Sequence, residues 1–546
     1  MPVATYALGA LVLSLPWLTY GYLFSADEYI HVYNACILDD LLLGGDELGF
    51  AEWFALNPWP EPNLLGHALL VGLAQVVPLY VAEKFFIVAL AAGVGYAFLR
   101  ACDPLQLGDA SAARSLPAGL WRAGLGVLAL TFVFGAVLRY GFVNYLLGMT
   151  GLLVALVATG RRVSGPRWAI AGWALVLYFC HPIALLLFPG TVALREFLSS
   201  GLLSPTLRPR RGPWGRMIGD LARWFGLPLA LFVAYVLRQD GGVSSGGGSL
   251  RRLGGFVLYF RDLALYDSAE QVVAIGVLGA AVVACLFGAT WLALVRGPRL
   301  AVAAAGLTVL VVVVVVVPDV LAGGAYIYQR LRPFAFVWAL WASAHAYGLL
   351  PEAHTLGFGW GIGALARFGL RPRLAMVTAG LAVAAAGGLT TLRLPAVAAL
   401  AAEFDELRAF GRTLPTGSVV LPASPSVLVN GQEDFSSPLH HFAGVLGCER
   451  GLVLLDNYEA SVGYFPLLWA AGRDPFANMT RGTEAHPVTI PLSGRGYFVE
   501  HVDFVLSRGS LEESVASSTV DWMGPLLRPV GRSQSGRYRL YEVSGR

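Results

Sequence analysis

Apolar stretches long enough to cross a lipid bilayer recur at short intervals along this chain. That recurrence limits the possible folds more than any other feature. A spanning helix needs about 20 largely apolar residues. The runs that meet or approach this length are Thr5–Phe24, Glu83–Arg100, Leu120–Leu138, Tyr145–Gly160, Trp168–Cys180, Ile183–Phe197, Asp220–Leu237, Gln271–Val295, Leu300–Val317, Pro333–Leu350 and Leu374–Leu392. Only 13% of the residues are charged and 56% are hydrophobic, whereas a soluble domain carries about a quarter charged. The expected fold class is an α-helical polytopic membrane protein with about eleven transmembrane helices. The first run lacks a basic segment ahead of it and a small-residue cleavage site after it, so it reads as an uncleaved span rather than a signal peptide.

Charge placement sets the orientation. Arg161, Arg162 and Arg167 share one connector, and Arg208, Arg210, Arg211 and Arg216 share another. Arg296 with Arg299, and Arg367 with Arg371 and Arg373, mark two more. The positive-inside rule puts these connectors in the cytoplasm. Residues Ser25–Pro62 instead hold Asp27, Glu28, Asp39, Asp40, Asp46, Glu47, Glu52 and Glu61 with no Lys or Arg, which places them outside. Both statements hold together only if Asn63–Tyr80 lies on the outer surface instead of crossing. Its interruptions at Gly66, His67, Gln75 and Pro78 suit an interfacial helix. The expected organisation is a transmembrane domain over 1–392, with an acidic first external loop (25–82) containing interfacial helices. A soluble extracytoplasmic α/β domain follows over 393–546. This describes a multi-pass protein of the cell (inner) membrane, N-terminus cytoplasmic and C-terminal domain periplasmic. In the tail, an amphipathic helix at Leu394–Phe410 precedes strands near Val419–Pro422, Gly451–Leu455, Phe498–Leu506 and Tyr538–Val543. Gly241–Ser249 reads as a flexible loop.

A formal charge of +3 gives no reason to expect a nucleic-acid partner. Cys36, Cys102, Cys180, Cys285 and Cys448 show neither CxxC nor paired spacing, so neither a zinc site nor a disulfide framework is expected.

Residues able to carry chemistry gather on the external side. Asp27-Glu28 follows the first span directly, with His31 one helical turn on. Such a carboxylate can accept a proton from an acceptor hydroxyl, or simply mark the outer face. Asp39-Asp40 could bind a divalent cation through oxygen, though a solvated helix face is the commoner use of such a pair. Arg139, Arg330 and Arg332 are basic groups against the positive-inside bias, and arginine grips phosphate bidentately. Asn144 and His181 sit at span ends beside the same expected cavity, where each could equally cap a turn. His440-His441 and Asp456-Asn-Tyr-Glu459 stand out in the tail, but no triad or metal spacing follows from them; a surface or loop role is the default, with substrate contact the weaker option.

The ensemble resembles the GT-C superfamily of membrane glycosyltransferases, which includes protein O-mannosyltransferases and the aminoarabinose transferases of lipid A. The resemblance covers the whole chain as architecture: a first span ending in Asp27-Glu28, a long outer loop, further spans and an outer domain. Phe142-Val-Asn-Tyr-Leu-Leu-Gly148 and His181-Pro182 also look like elements of bacterial membrane proteins of that type. The resemblance implies transfer of a sugar from a polyprenyl-phosphate-linked donor to a glycan, lipid or protein acceptor at the external membrane face. It implies Asp27 as general base with Glu28 in support, and Arg330, Arg332 and Arg139 at the donor phosphate. His31, Asn144 and His181 would then line the substrate cavity. No cofactor is certain from the sequence, and a divalent cation is possible. The chain departs from the family where a Lys/His-Pro-Pro element often stands, since it has Asn57-Pro-Trp-Pro-Glu-Pro-Asn63. A transporter or flippase, or a non-catalytic component of envelope polysaccharide assembly, also fits a polytopic chain. Transporters, however, tend to place ionisable groups at mid-membrane, and here the span centres are nearly free of charge.

Overall fold

The computed structural model describes residues 1–100, 115–160, 168–199, 212–239, 266, 269–294, 327–347, 370–425, 428–429, 432–433, 437–479 and 487–544. The chain forms two compact units. One comprises Met1–Thr19, Phe85–Leu138 and Asn144–Ala396; the other comprises Tyr20–Lys84, Arg139–Val143 and Val397–Arg546.

Helices dominate the first unit. In chain order the longer helices of the protein are α1 (Pro2–Thr19), α2 (Glu28–Asp39), α3 (Leu64–Ala74), α4 (Leu79–Leu99), α5 (Leu116–Val133), α6 (Val143–Gly160), α7 (Trp168–Cys180), α8 (Pro182–Ser199), α9 (Gly212–Arg238), α10 (Glu270–Leu294), α11 (Ile327–Tyr347) and α12 (Leu370–Gly411). They cover ten of the eleven apolar runs, and Leu300–Val317 lies outside the described residues. Five described helical stretches are long and apolar enough to cross a membrane. Helix α3 is not among them: its 11 residues extend about 16 Å, roughly half the hydrocarbon thickness.

Small residues and backbone-directed hydrogen bonds bring the helices of this unit together. Helix α5 is buried along nearly its whole length, and Gly124 comes so near the Ala379 backbone that a Cβ would lie 2.9 Å from its Cα. The Tyr6 hydroxyl donates to the Ala91 carbonyl (2.5 Å), and the indole of Trp341 donates to Ala97 (3.2 Å). Such bonds average about 0.6 kcal/mol in lipid, so close packing contributes more. One polar cluster is of a different kind. Arg393 Nε donates to Glu270 Oε2 at 2.9 Å with both side chains fully buried. The other Glu270 oxygen accepts from the Tyr266 amide (2.9 Å), and the guanidinium lies over the Trp17 ring at 5.6 Å.

The second unit is mixed α/β. Strands β1 (Phe54–Leu56), β2 (Val419–Ala423), β3 (Leu428–Val429), β4 (Gln432–Glu433), β5 (Val453–Leu454), β6 (Leu467–Trp469), β7 (Phe504–Arg508), β8 (Leu527–Arg532) and β9 (Tyr538–Val543) form three sheets. The main sheet has the order β5-β2-β7-β9-β8; β5-β2-β7 are parallel and β7-β9-β8 antiparallel. Every residue of β2 is buried, as suits a parallel strand covered on both faces. The strand expected at Phe498–Leu506 is instead a helix, Arg495–His501, followed by β7. Phe498 turns inward there and meets Trp522 edge-on. The first acidic connector joins this unit through β1, which pairs antiparallel with β6 and stacks Phe54 on Trp469 at 4.5 Å.

Helix α13 (Gly444–Arg450) packs directly on α2. A Cβ on Gly444 would stand 2.4 Å from the Tyr29 carbonyl, and one on Gly447 would stand 2.5 Å from the Tyr33 ring. One residue beyond Gly447, Cys448 forms a disulfide with Cys36 of α2, with Cα atoms 5.7 Å apart. The expectation of no disulfide is therefore corrected. The pair is separated by 412 positions, so no local spacing could announce it. Closing so long a loop stabilises by about 2–4 kcal/mol. Cys36→Ser should lower the melting temperature of the purified chain by an amount that reduction of the wild type reproduces. An unchanged melting curve in both would speak against a formed bond.

Candidate active site

Asp27 stands at the N-terminus of α2, and its position is set by backbone. The Ala26 amide donates to Arg139 O (2.8 Å) and the Asp27 amide to Tyr140 O (3.2 Å). Gly141 follows with φ +83°, and a Cβ there would lie 2.7 Å from the Asp27 nitrogen and 2.8 Å from that of Glu28. Only glycine fits. On the other side Phe24 is held at φ 52° with its ring against Phe404. A left-handed bulky residue is uncommon and persists only where its surroundings enforce it.

One residue from the main-sheet region faces this carboxylate, and a second backs it. His441 Nε2 lies 4.0 Å from Asp27 Oδ1, an ion-pair separation. Its Nδ1 is 3.1 Å from Asp456 Oδ2, and the Tyr458 ring stacks on the imidazole. Asp456 fixes the ring orientation and favours a proton on Nδ1, which turns Nε2 towards Asp27. The Asp27 side chain remains 15% exposed, while that of His441 is 1% exposed. Glu28 differs sharply from its neighbour. It is fully buried, and neither carboxylate oxygen has a hydrogen-bond partner. Burial raises its pKa, against the opposing influence of His31 and with help from Glu459 and Asp27, to about 7. A sealed, half-neutral Glu28 cannot reach a substrate directly.

A second cluster lies within the same unit. Glu459 is fully buried and surrounded by donors: His31 Nδ1 at 3.0 Å, Asn34 Nδ2 at 2.6 Å and His67 Nε2 at 3.7 Å. Burial alone would lower the His31 pKa, but the charge and hydrogen bond of Glu459 outweigh it and raise it to about 9. Burial alone would likewise raise that of Glu459, yet His31 and His67 bring it down to about 2. The nitrogens and oxygen of His31, His67 and Glu459 that could hold a metal lie within 4.8 Å of one another. Asp39 and Asp40 form no such group: Gln75 donates to Asp39 (2.6 Å), and the Leu48 amide donates to Asp40 (3.2 Å).

The surface role expected for the tail residues is thus overturned. His441, Asp456, Asn457 and Glu459 are all buried. One signal could have located them, since Asp456 lies two residues beyond the parallel strand β5 and functional groups in α/β sheets collect beyond the carboxyl ends of strands. No comparable signal marks His67.

The remaining candidates belong to the helical unit. Arg330 Nη1 is 2.9 Å from His181 Nε2, and because a guanidinium only donates, the imidazole accepts there. The Tyr145 hydroxyl donates to the Arg330 carbonyl. Arg330 also lines a small, otherwise mostly apolar pocket with Phe132, Val137, Leu146, Met149 and Phe334. Arg332 and Asn144 are buried nearby in sequence but do not line it. Arg139 belongs to the other unit, where its carbonyl holds the Ala26 amide.

No family model matches the chain, and no curated protein matches its sequence. Two solved structures align with nearly all of it. ArnT from Cupriavidus metallidurans in the apo state is 12% identical, with 99% of this chain and 98% of that chain covered and a TM-score of 0.49. ArnT from Cupriavidus metallidurans bound to undecaprenyl phosphate is 11% identical, with 99% of each chain covered and a TM-score of 0.48.

Proposed function

We propose that this protein is a membrane glycosyltransferase that moves a sugar from a polyprenyl-phosphate-linked donor to an acceptor hydroxyl. The observation that carries the reading is the partly exposed Asp27 carboxylate backed by the His441–Asp456 pair. The acceptor oxygen attacks the anomeric carbon while its proton passes to Asp27. The bond from that carbon to the donor phosphate breaks, and polyprenyl phosphate leaves with the electron pair. Inversion at the sugar follows. His441, oriented by Asp456, takes the proton onward from Asp27 and resets the base. Arg330 and Arg332 are assigned to the donor phosphate, which a guanidinium grips bidentately. Glu28 assists only as a buried neighbour of Asp27.

The external location of Asp27 is supported by the arginine distribution and by the Cys36–Cys448 disulfide, since such bonds persist in oxidising compartments. A phosphatase reporter that is active only after export, fused to the C-terminus, should be active; activity from a cytoplasmic reporter instead would reverse the orientation.

The function is tested in membrane vesicles carrying the full chain with radiolabelled sugars on undecaprenyl phosphate, the carrier bound in one of the aligned structures. Label should move into acceptor. His441→Gln should slow it by about tenfold, a fraction of the ~10²–10⁴ available to general-base catalysis. No transfer from any pentosyl or hexosyl donor, or a wild-type rate in His441→Gln, would count against the assignment.

A further inference from the structure

The hydrogen bonds around Glu459 pose a question of charge. Among the described residues, His31 Nε2 lies 3.2 Å from the Gly141 carbonyl and His67 Nδ1 lies 3.1 Å from the Asn63 carbonyl. A carbonyl only accepts, so each ring must donate from that nitrogen. The opposite nitrogens, His31 Nδ1 and His67 Nε2, then turn towards the Glu459 carboxylate. In neutral rings both present lone pairs to an anion, and His67 Nε2 has no hydrogen-bond partner although it is fully buried. Lone pairs and a carboxylate converging in a buried space call for a cation among them, either a proton on His31, which lies within hydrogen-bond distance of both Glu459 oxygens, or a metal ion.

We propose that His31, His67 and Glu459 form a binding site for a divalent transition metal of the zinc class. Two imidazoles and one carboxylate are a donor set that zinc takes with a fourth position left to water. Imidazole ligands disfavour magnesium and calcium, which take oxygen. Bonds of about 2.0–2.1 Å in a tetrahedral site place ligand atoms about 3.3 Å apart. The separations are 3.0 Å from His31 Nδ1 to Glu459 Oε1 and 3.7 Å from His67 Nε2 to Glu459 Oε2.

The surrounding bonds follow the pattern of a metal's outer shell. Ligating histidines commonly donate their other ring N–H to a backbone carbonyl, which fixes the tautomer, and both rings do so here. Asn34 Nδ2 holds Glu459 Oε2 at 2.6 Å, and Asn34 is itself fixed by Asn457 Nδ2 at 2.7 Å. That leaves Glu459 Oε1, 3.0 Å from His31 Nδ1, to face the ion. The three ligands come from α2, α3 and the turn after β5. A bound ion would tie the external connector to the main-sheet region a second time, beside the disulfide. This site does not depend on the transfer reaction, and metal binding is read without any donor.

The full chain, purified in detergent, stripped with chelator and exchanged into metal-free buffer, is given zinc chloride alone. One zinc per chain should survive gel filtration, and the melting temperature should rise with zinc but not with magnesium, as for any ligand of the native state. Cobalt in place of zinc should give visible d–d bands of a four-coordinate site. His67→Gln should abolish retention and bands, whereas Asp39→Asn should keep both. Zinc uptake by the stripped wild type no greater than by His67→Gln, or loss of uptake in Asp39→Asn, overturns the proposal. If His67→Gln fails to fold, the wild-type cobalt spectrum decides: a six-coordinate or absent spectrum means that a proton alone bridges these groups.

Discussion

Replacing Asp27 with Asn is expected to lower sugar transfer by about 10²–10⁴-fold with little change in melting temperature. Asn matches Asp in size and removes the anionic proton acceptor. The position of residue 27 does not depend on its side chain, because its amide is held by Tyr140 O and its backbone is pressed against Gly141. The partner variant Glu28→Gln separates the two neighbouring carboxyls. Glu28 is sealed from solvent, so it cannot take a proton from an acceptor, and its amide form should transfer far faster than Asp27→Asn. Initial rates in vesicles with matched amounts of folded protein measure both. An Asp27→Asn rate close to wild type would remove Asp27 as the base, and the reverse order of the two variants would move the chemistry to Glu28.

Arg393→Leu is expected to destabilise the chain by about 3–5 kcal/mol, the usual consequence of removing one partner from a buried ion pair. Glu270 would keep its Tyr266 amide bond but lose the guanidinium 2.9 Å from its other oxygen, in a place without solvent. The Trp17 ring would also lose its cation–π partner. A fall in melting temperature of roughly 3–4 °C corresponds to that range for a chain of this length. The double variant Arg393→Leu with Glu270→Leu should recover much of the loss, since no buried charge is left alone. Equal melting temperatures for the single variant and the wild type would show that water reaches the pair.

The helical part of this architecture was legible because the bilayer imposes a simple rule: long runs without charge. That rule gave ten described helices, and the arginine asymmetry separated α3, too short to cross, from the spans around it. Arg393 was misread by the same rule. A charge at the end of an apolar run looks like an exit to solvent, yet it lies fully buried on Glu270, inside a helix that continues to Gly411. The carboxylate at Asp27 could be found from its place after the first apolar run. Its partners could not, because His441 and Asp456 are more than 400 positions away and adjacency of that kind is written only in the fold. The same holds for His67 and Glu459, which belong to elements whose local patterns are unremarkable on their own.

The second unit is assembled from the first connector, a five-residue insert and the last 150 residues. A ribosome adding about 5–20 residues per second needs about 20–80 s to travel the 412 positions between Cys36 and Cys448. Throughout that interval α2 is already made, with its apolar face, its thiol and its buried carboxylates awaiting a partner that does not yet exist. Maturation of the candidate site therefore waits until the segment carrying His441 and Cys448 has been made. A chain that stalls before that segment carries an inert, unprotected connector, and such products should be recognised and removed as such.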